Sequence, residues 1–334
     1  MKMMKVSIIV PVYNAERTLE KCLNSLVHRS YEDIEILLIN DGSTDDSEKI
    51  CRGYAEEYNY IKLLSQTNSG PATARNNGIE HSTGEYVAFV DADDFVEPDF
   101  VELMALSAEQ SGADVVICSY YEESETGNRV HRYRYQEGLY ESDAVRDMAV
   151  SLISDVSENR IPPYSWVRMV RRDIFDLPGM RYSDGMIRSE DYFLYTQLHF
   201  QINKVYIFAE KPLYHYIENN LSVTHSYVKN YWESVLEIYD GLKSKLPKQE
   251  AIEKNLNIMI IQRSMIALNN AARANNDRVF KSEVNEITRD KHLNNAIKSL
   301  SLKEGYKEFG PYFLLMRLKL RKFVYLRYNA KRDS

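Results

Sequence analysis

Apolar and polar positions follow two rhythms in the first third of the chain. Val6–Val10 is β-branched and apolar apart from Ser7, which reads as a buried strand. In Ala15–Val27 the residues Leu19, Cys22, Leu23 and Leu26 recur at helical spacing. A second apolar run, Ile34–Ile39, closes on Asn40-Asp41-Gly42-Ser43. The alternation continues with a helix over Asp46–Tyr58, a strand over Ile61–Leu64, and a helix over Pro71–His81 with proline in its first turn. A strand over Tyr86–Val90, a helix over Pro98–Gln110 and a strand over Asp114–Tyr120 complete it. Strands alternating with helices predict an α/β fold with a mostly parallel central sheet covered on both faces. Ligands of such sheets bind beyond the carboxyl ends of the strands.

The middle third is less regular. Asn128–Tyr140 alternates like a hairpin arm, Ser142–Ser154 and Asp191–Phe200 read as helices, and Lys211–Ile217 reads as a strand. From Ser226 onward the pattern is helical with no strand signal. These changes divide the chain into residues 1–225, with a soft internal boundary near 120, and a helical C-terminal extension over 226–334.

Composition narrows the function. The net charge of −7 argues against a nucleic-acid partner, which asks for a basic face. Cys22, Cys51 and Cys118 form no CxxC pair, and an odd count without a secretory signal points to a reducing, cytoplasmic setting. The apolar run Val6–Val10 stops at Pro11, too short for a signal-peptide core or a membrane span. Any membrane contact is therefore expected at the surface. Pro311–Arg332 is the segment that fits, because Arg317, Lys319, Arg321, Lys322, Arg327, Lys331 and Arg332 are interleaved there with leucine and aromatic residues and no acid. A helix packed on its own domain, or on a sister subunit of a homo-oligomer, explains the same pattern.

Polar signals collect where the predicted strands end. Asp91 and Asp93 stand two apart after an apolar strand, so both project to one side. Paired carboxylates there suit Mg²⁺ or Mn²⁺ shared with substrate phosphates, and equally suit a solvated turn. Asp41, in the turn after the second strand, is placed to accept a pyrimidine ring N–H, although turn formation alone explains the Asp-Gly pair. The loop Gln66–Gly70 leads into a helix carrying Arg75, which can bridge carboxylates and nucleotide oxygens or make an ordinary salt bridge. Tyr13 can stack on a base, and the turn Pro11-Val12-Tyr13-Asn14-Ala15 lacks the dinucleotide fingerprint GxGxxG. In Arg188-Ser189-Glu190-Asp191 the acidic pair either caps a helix or supplies a general base.

Together these segments resemble family 2 glycosyltransferases of the GT-A fold over about residues 5–120. Val6–Asn14, Asn40–Asp45, Asn68–Gly78 and Asp91-Ala92-Asp93-Asp94 carry the resemblance, with a weaker match from Trp166–Arg172 to Glu190-Asp191. The resemblance implies an inverting enzyme that uses a UDP-sugar and a divalent metal, Mn²⁺ or Mg²⁺. It implies a nucleotide-binding half over 1–120 and an acceptor half over 121–225. Pro11, Val12, Tyr13, Asp41, Asn68 and Arg75 would hold the nucleotide, and Asp91 and Ala92 would lie along the ribose and diphosphate. Asp93 would ligate the metal, Asp191 would be the base, and Glu190 would orient the site. The acceptor would be a glycan or a lipid-linked molecule, which suits a peripheral position on the inner membrane face. Where many relatives carry an arginine after Tyr-x-Tyr, this chain has Ile217-Glu218-Asn219-Asn220 after Tyr214-His215-Tyr216, which leaves His225 as a substitute metal or diphosphate ligand. Two other readings remain. A non-catalytic sugar-nucleotide binding module would not need both Asp93 and Asp191. A nucleotidyltransferase would want a glycine- and lysine- or arginine-rich loop in place of Val12–Arg17.

Overall fold

The computed structural model describes residues 4–125, 127–183, 186, 189–209, 211–218 and 227–330. The chain divides into two compact units, one of Met1–Leu152 with Val156–Asn220 and one of Ile153–Asp155 with Leu221–Ser334.

An eight-stranded sheet organises the first unit. β1 (Val6–Val12) lies between β2 (Ile34–Asn40) and β4 (Tyr86–Phe89), and β3 (Ile61–Ser65) flanks β2, all four strands parallel. Every residue of β2 and β4 is buried, including the polar Glu35 and Asn40 of β2. The crossovers are α1 (Leu19–Val27), α2 (Ser47–Glu57) and α3 (Pro71–His81). Beyond β4 the order runs β10 (Arg168–Arg171), β6 (Val115–Cys118), β11 (Lys204–Phe208) and β9 (Gly138–Glu141). β10 is antiparallel to both of its neighbours, β4 and β6, and so brings chain from beyond residue 120 into the middle of the sheet. A smaller sheet has the order β5 (Phe95–Val96), β12 (Tyr214–Ile217), β7 (Tyr120–Ser124), β8 (Gly127–His131). Three further helices, α4 (Phe100–Ser111), α5 (Asp143–Ser154) and α6 (Glu190–Leu198), complete this part of the chain.

The expected strand over 114–120 is two strands. The chain breaks at Ser119, whose N–H donates to Phe208 and whose carbonyl accepts from Leu213, so that β6 joins the large sheet and β7 the small one. β10 and β11 carry no apolar run long enough to announce them. Arg168 opens β10 although it is fully buried, and β11 begins with a lysine. The alternating stretch 128–140 divides between β8, paired with β7, and β9, paired with β11.

Two glycines set distances at the strand ends. A Cβ on Gly78 of α3 would lie 2.4 Å from Ile9 Cγ2, so only glycine lets α3 lie this close to β1. Gly42 has φ of +69°, and a Cβ there would also lie 2.8 Å from the backbone nitrogen of Asn68. The turn after β2 and the loop before α3 thus meet backbone to backbone.

The second unit contains α7 (Tyr231–Lys245), α8 (Glu250–Ala272), α9 (Asp277–Arg289), α10 (Lys291–Ser299), α11 (Leu302–Phe309), α12 (Pro311–Arg317) and α13 (Arg321–Asn329). α7, α9 and α10 pack against the long α8. The tail expected as one helix is broken at Leu318–Leu320, where Lys319 takes φ of +58°. Its two halves differ: α12 buries Tyr312, Phe313 and Met316, whereas α13 buries only Val324 and Tyr328. Among the described residues no helix is long and apolar enough to cross a membrane. All three cysteines are buried and free.

Candidate functional site

The turns at the carboxyl ends of β1 and β2 are stitched together. Asn14, at φ of +49°, accepts the Thr44 N–H on Oδ1 at 2.8 Å and donates its own N–H to Ser43 Oγ at 3.1 Å. This strained residue holds the chain just beyond Pro11 and Val12, and the neighbouring Tyr13 ring is 52% exposed. Asp41 is buried and accepts three donors: Gln66 Nε2 at 2.8 Å, the Ser69 N–H at 2.8 Å and the Gly70 N–H at 2.9 Å. It therefore shapes the loop before α3, leaving Asn68 exposed at its tip. The first observed duty of Asp41 is thus to order this loop, and Oδ2, with a single donor, keeps room for another.

Arg75, on α3, is the hub of the site. Its guanidinium is buried and contacts Asp91 Oδ1 at 3.0 Å, Glu190 Oε1 at 3.2 Å and Asp191 Oδ1 at 3.9 Å. Burial works against this charge, but Asp191 and Asp91 outweigh it and hold the arginine proton well above its ordinary range. One cation thereby ties the end of β4 to the start of α6, residues a hundred positions apart. The neighbouring Asn76 fixes α3 to Tyr182 through two hydrogen bonds, to its carbonyl at 2.9 Å and from its N–H at 3.0 Å. α6 begins at Glu190 behind Ser189, a non-glycine residue at φ of +67°. Both oxygens of Asp191 accept from Ser165, one from its N–H at 3.1 Å and one from its hydroxyl at 2.5 Å. Burial and then Asp191 push the Glu190 carboxyl up, against the pull of Arg75.

The acids after β4 are crowded. Asp93 opens to solvent from a recess, and that partial enclosure together with Asp91 raises its carboxyl. Asp94 is buried, and burial, Asp91 and Asp93 push it up to about 9. It accepts the Tyr214 hydroxyl at 2.7 Å and the Ile217 N–H at 2.8 Å, while Tyr214 Oη accepts the Asp91 N–H at 3.1 Å. Ala92 is buried, and its carbonyl accepts the Thr18 hydroxyl at 3.0 Å. Sequence reading missed Ser165, Tyr214 and the bracing role of Asp94, because bonds formed 26 residues apart, for Ser165 and Asp191, or 120 and more, for Tyr214 and Ile217, leave no local pattern.

The donor set can be tested for a metal. Among the described residues no three His, Cys, Asp or Glu side chains gather to hold an ion unaided. Asp93 beside Asp91 does fit the half-site that Mg²⁺ or Mn²⁺ takes when phosphate oxygens complete the shell, and their mutual repulsion is what a cation would relieve. His225 lies outside the described residues.

Comparison with known proteins follows the same geometry. The model of the family described as Glycosyl transferase family 2 matches residues 7–169. EpsH of Bacillus subtilis (strain 168), a glycosyltransferase by name, is 32% identical over 282 residues, covering 82% of this chain and 79% of EpsH. Glycosyltransferase GlyA of Streptococcus pneumoniae serotype 4 is 31% identical over 247 residues, which cover 70% of this chain and 33% of GlyA. The crystal structure of S. aureus TarS 1-349 in complex with UDP-GlcNAc superposes with a TM-score of 0.74 at 18% identity, covering 99% of this chain and 92% of that one, a likeness of fold.

Proposed function

The chain belongs to glycosyl transferase family 2 and is a glycosyltransferase with a GT-A-like fold, and on that premise we propose that it transfers a sugar from a UDP-sugar to an acceptor hydroxyl with inversion. The observation that carries this reading is Arg75, which binds Asp91 on the donor side and the Glu190-Asp191 pair on the other within one buried network. A TarS structure holding UDP-GlcNAc on a similar fold supports the choice of donor.

In this reading the first 120 residues hold the nucleotide. Tyr13 stacks on the uracil, Asp41 takes its ring N–H on Oδ2, and Pro11, Val12 and Asn68 shape the same recess. Asp91 and Ala92 run along the ribose and diphosphate. Asp93 would hold Mn²⁺ or Mg²⁺ together with the diphosphate, and a bound ion would supply stabilisation of charge on the departing UDP. Asp191, fixed by Ser165, takes the proton of the acceptor hydroxyl as that oxygen attacks the anomeric carbon opposite UDP. Residues 121–225 shape the acceptor side, and the acceptor is a glycan or a lipid-linked molecule. The basic tail would bring the enzyme to an anionic membrane surface.

A panel of UDP-sugars tests this reading by thermal stabilisation and by UDP release, each with and without chelator. Wild-type protein should be stabilised by at least one donor and release UDP only with Mn²⁺ or Mg²⁺. Asp93→Ala should lose the metal-dependent share of both signals. Release that continues unchanged in chelator removes the metal from the mechanism, and silence toward every donor removes UDP-sugars.

A further inference from the structure

Three tyrosines stack on Trp166. The ring centroids lie 5.1 Å away for Tyr164, 4.5 Å for Tyr214 and 5.5 Å for Tyr216, at interplanar angles of 19°, 21° and 6°. Trp166 and Tyr214 are buried, whereas Tyr164 and Tyr216 are half-buried and form the outer members of this wall. Tyr214 and Tyr216 stand two apart on β12, so they share one side of the strand.

Each end of the wall is tied to one chemical participant in the proposed transfer. At one end Ser165, between Tyr164 and Trp166, holds both oxygens of Asp191. At the other, Tyr214 bonds to the Asp91 N–H and to Asp94, and Ile217, next to Tyr216, donates its N–H to Asp94. The wall therefore runs between the proposed base and the turn Asp91–Asp94, and an attacking hydroxyl has to lie between those two groups.

A flat aromatic surface beside carboxylates selects its occupant by chemistry. A pyranose has one or two faces of axial C–H groups that lie well on an aromatic ring, and hydroxyls at its rim that reach the flanking acids. A phosphate-bearing acceptor meets the carboxylate of Glu122, the cross-strand neighbour of Tyr216, which is bonded to His131. We propose that Tyr164 and Tyr216 form an acceptor subsite that takes a pyranose ring by its C–H face, so that the group glycosylated is a sugar rather than a polyol phosphate or a simple lipid alcohol. This rests on the transferase reading above and adds the acceptor class to it.

The test uses the full chain and the donor found by UDP release. p-Nitrophenyl glycosides of common hexoses and N-acetylhexosamines are compared with ribitol phosphate, glycerol phosphate and decanol as stimulants of that release. At least one glycoside should stimulate, and Tyr164→Ala and Tyr216→Ala should each raise its KM roughly five- to tenfold, the scale of one lost ring contact. The KM for the UDP-sugar should stay where it was, and Tyr164→Phe and Tyr216→Phe should keep the wild-type acceptor KM, which separates a lost stacking face from a disturbed fold. Stimulation by the non-sugar alcohols alone overturns the proposal. Donor cleavage that no glycoside stimulates, or an acceptor KM indifferent to both alanine variants, overturns it as well. Absence of any donor binding or cleavage in the wild-type protein is the separate failure of the transferase reading.

Discussion

Glu190 and Asp191 differ in what surrounds them, and the difference decides which of them should carry the proton. Asp191 is gripped through both oxygens by Ser165, whereas Glu190 faces Arg75 and has its carboxyl raised by burial and by Asp191. Asp191→Asn should keep donor binding and lower turnover by about 10²-fold or more, the scale of a lost general base. Glu190→Gln should cost less in turnover and shift its acid limb, since Arg75 then loses one counter-charge. A larger loss from Glu190→Gln than from Asp191→Asn would move the base to Glu190. Away from the site, Glu35 is another residue whose surroundings set its behaviour. Burial would raise its carboxyl, but bonds from Ser7, Thr83 and Lys62 outweigh burial and hold it at about 2, below the ordinary 4.5. Between pH 4.5 and 2 the unfolded chain takes up a proton there that the folded chain refuses. The stabilisation is thus complete above pH 4.5 and lost as pH falls toward 2. Glu35→Gln should lower the melting temperature at neutral pH and flatten its decline across that window. An unchanged slope would mean these bonds contribute nothing.

Elements differ in how much of themselves they disclose in sequence. β1, β2 and β4 are legible because strands buried on both faces are mostly apolar, with Ser7 and Glu35 bonded to each other inside β1 and β2, and the acids after β2 and β4 stand out against them. β10, β11, β5 and the Trp166 wall are not, because their stability comes from partners distant in the chain. Arg168 illustrates the point, since it sits fully buried over the Tyr195 ring at the start of β10 and looks, in sequence, like a surface residue. The candidate acids stand out in the sequence, whereas the bonds from Ser165 to Asp191 leave no local pattern there. The approach of α3 to β1 through Gly78 is a further feature that only packing reveals. Gly78→Ala should destabilise the protein by about 1–3 kcal/mol, as overpacking does, and weaken donor binding because α3 carries Arg75. Adding Ile9→Ala removes the atoms that clash, so the double variant should lose less than the sum of the two single ones. Additive losses in thermal or chemical denaturation would show that the contact is already relaxed.

For the molecule as a whole, the tail is a segment where basic charge and exposed apolar side chains coincide. The chain carries a net charge of −7, yet residues 317–327 hold Arg317, Lys319, Arg321, Lys322 and Arg327 and no acid. In the same segment Leu318 is 63% exposed, Leu320 40%, Phe323 55% and Leu326 49%. α12 buries Tyr312, Phe313 and Met316 and half-buries Leu314 and Leu315, so the expected contact surface contracts from 311–332 to the stretch from Leu318 onward, of which 331 and 332 lie outside the described residues. Arg317 and Arg321 are spent on the carbonyls of Ile297 and Thr288, which anchors the segment to its own unit and leaves its leucines and Phe323 outward. An anionic bilayer answers both properties, at roughly 1 kcal/mol for each basic residue near the surface plus the burial of apolar side chains. The full chain should therefore co-sediment with phosphatidylglycerol vesicles at low salt, release them at high salt, and ignore phosphatidylcholine vesicles. Leu320→Glu with Phe323→Glu should abolish binding while UDP-sugar cleavage in solution continues, because the tail has no part in the proposed chemistry. Binding that survives both substitutions would separate the tail from the membrane. A wild-type chain that never sediments with lipid, and that passes from a larger species to a monomer when these two residues are changed, would assign the same face to a homo-oligomer.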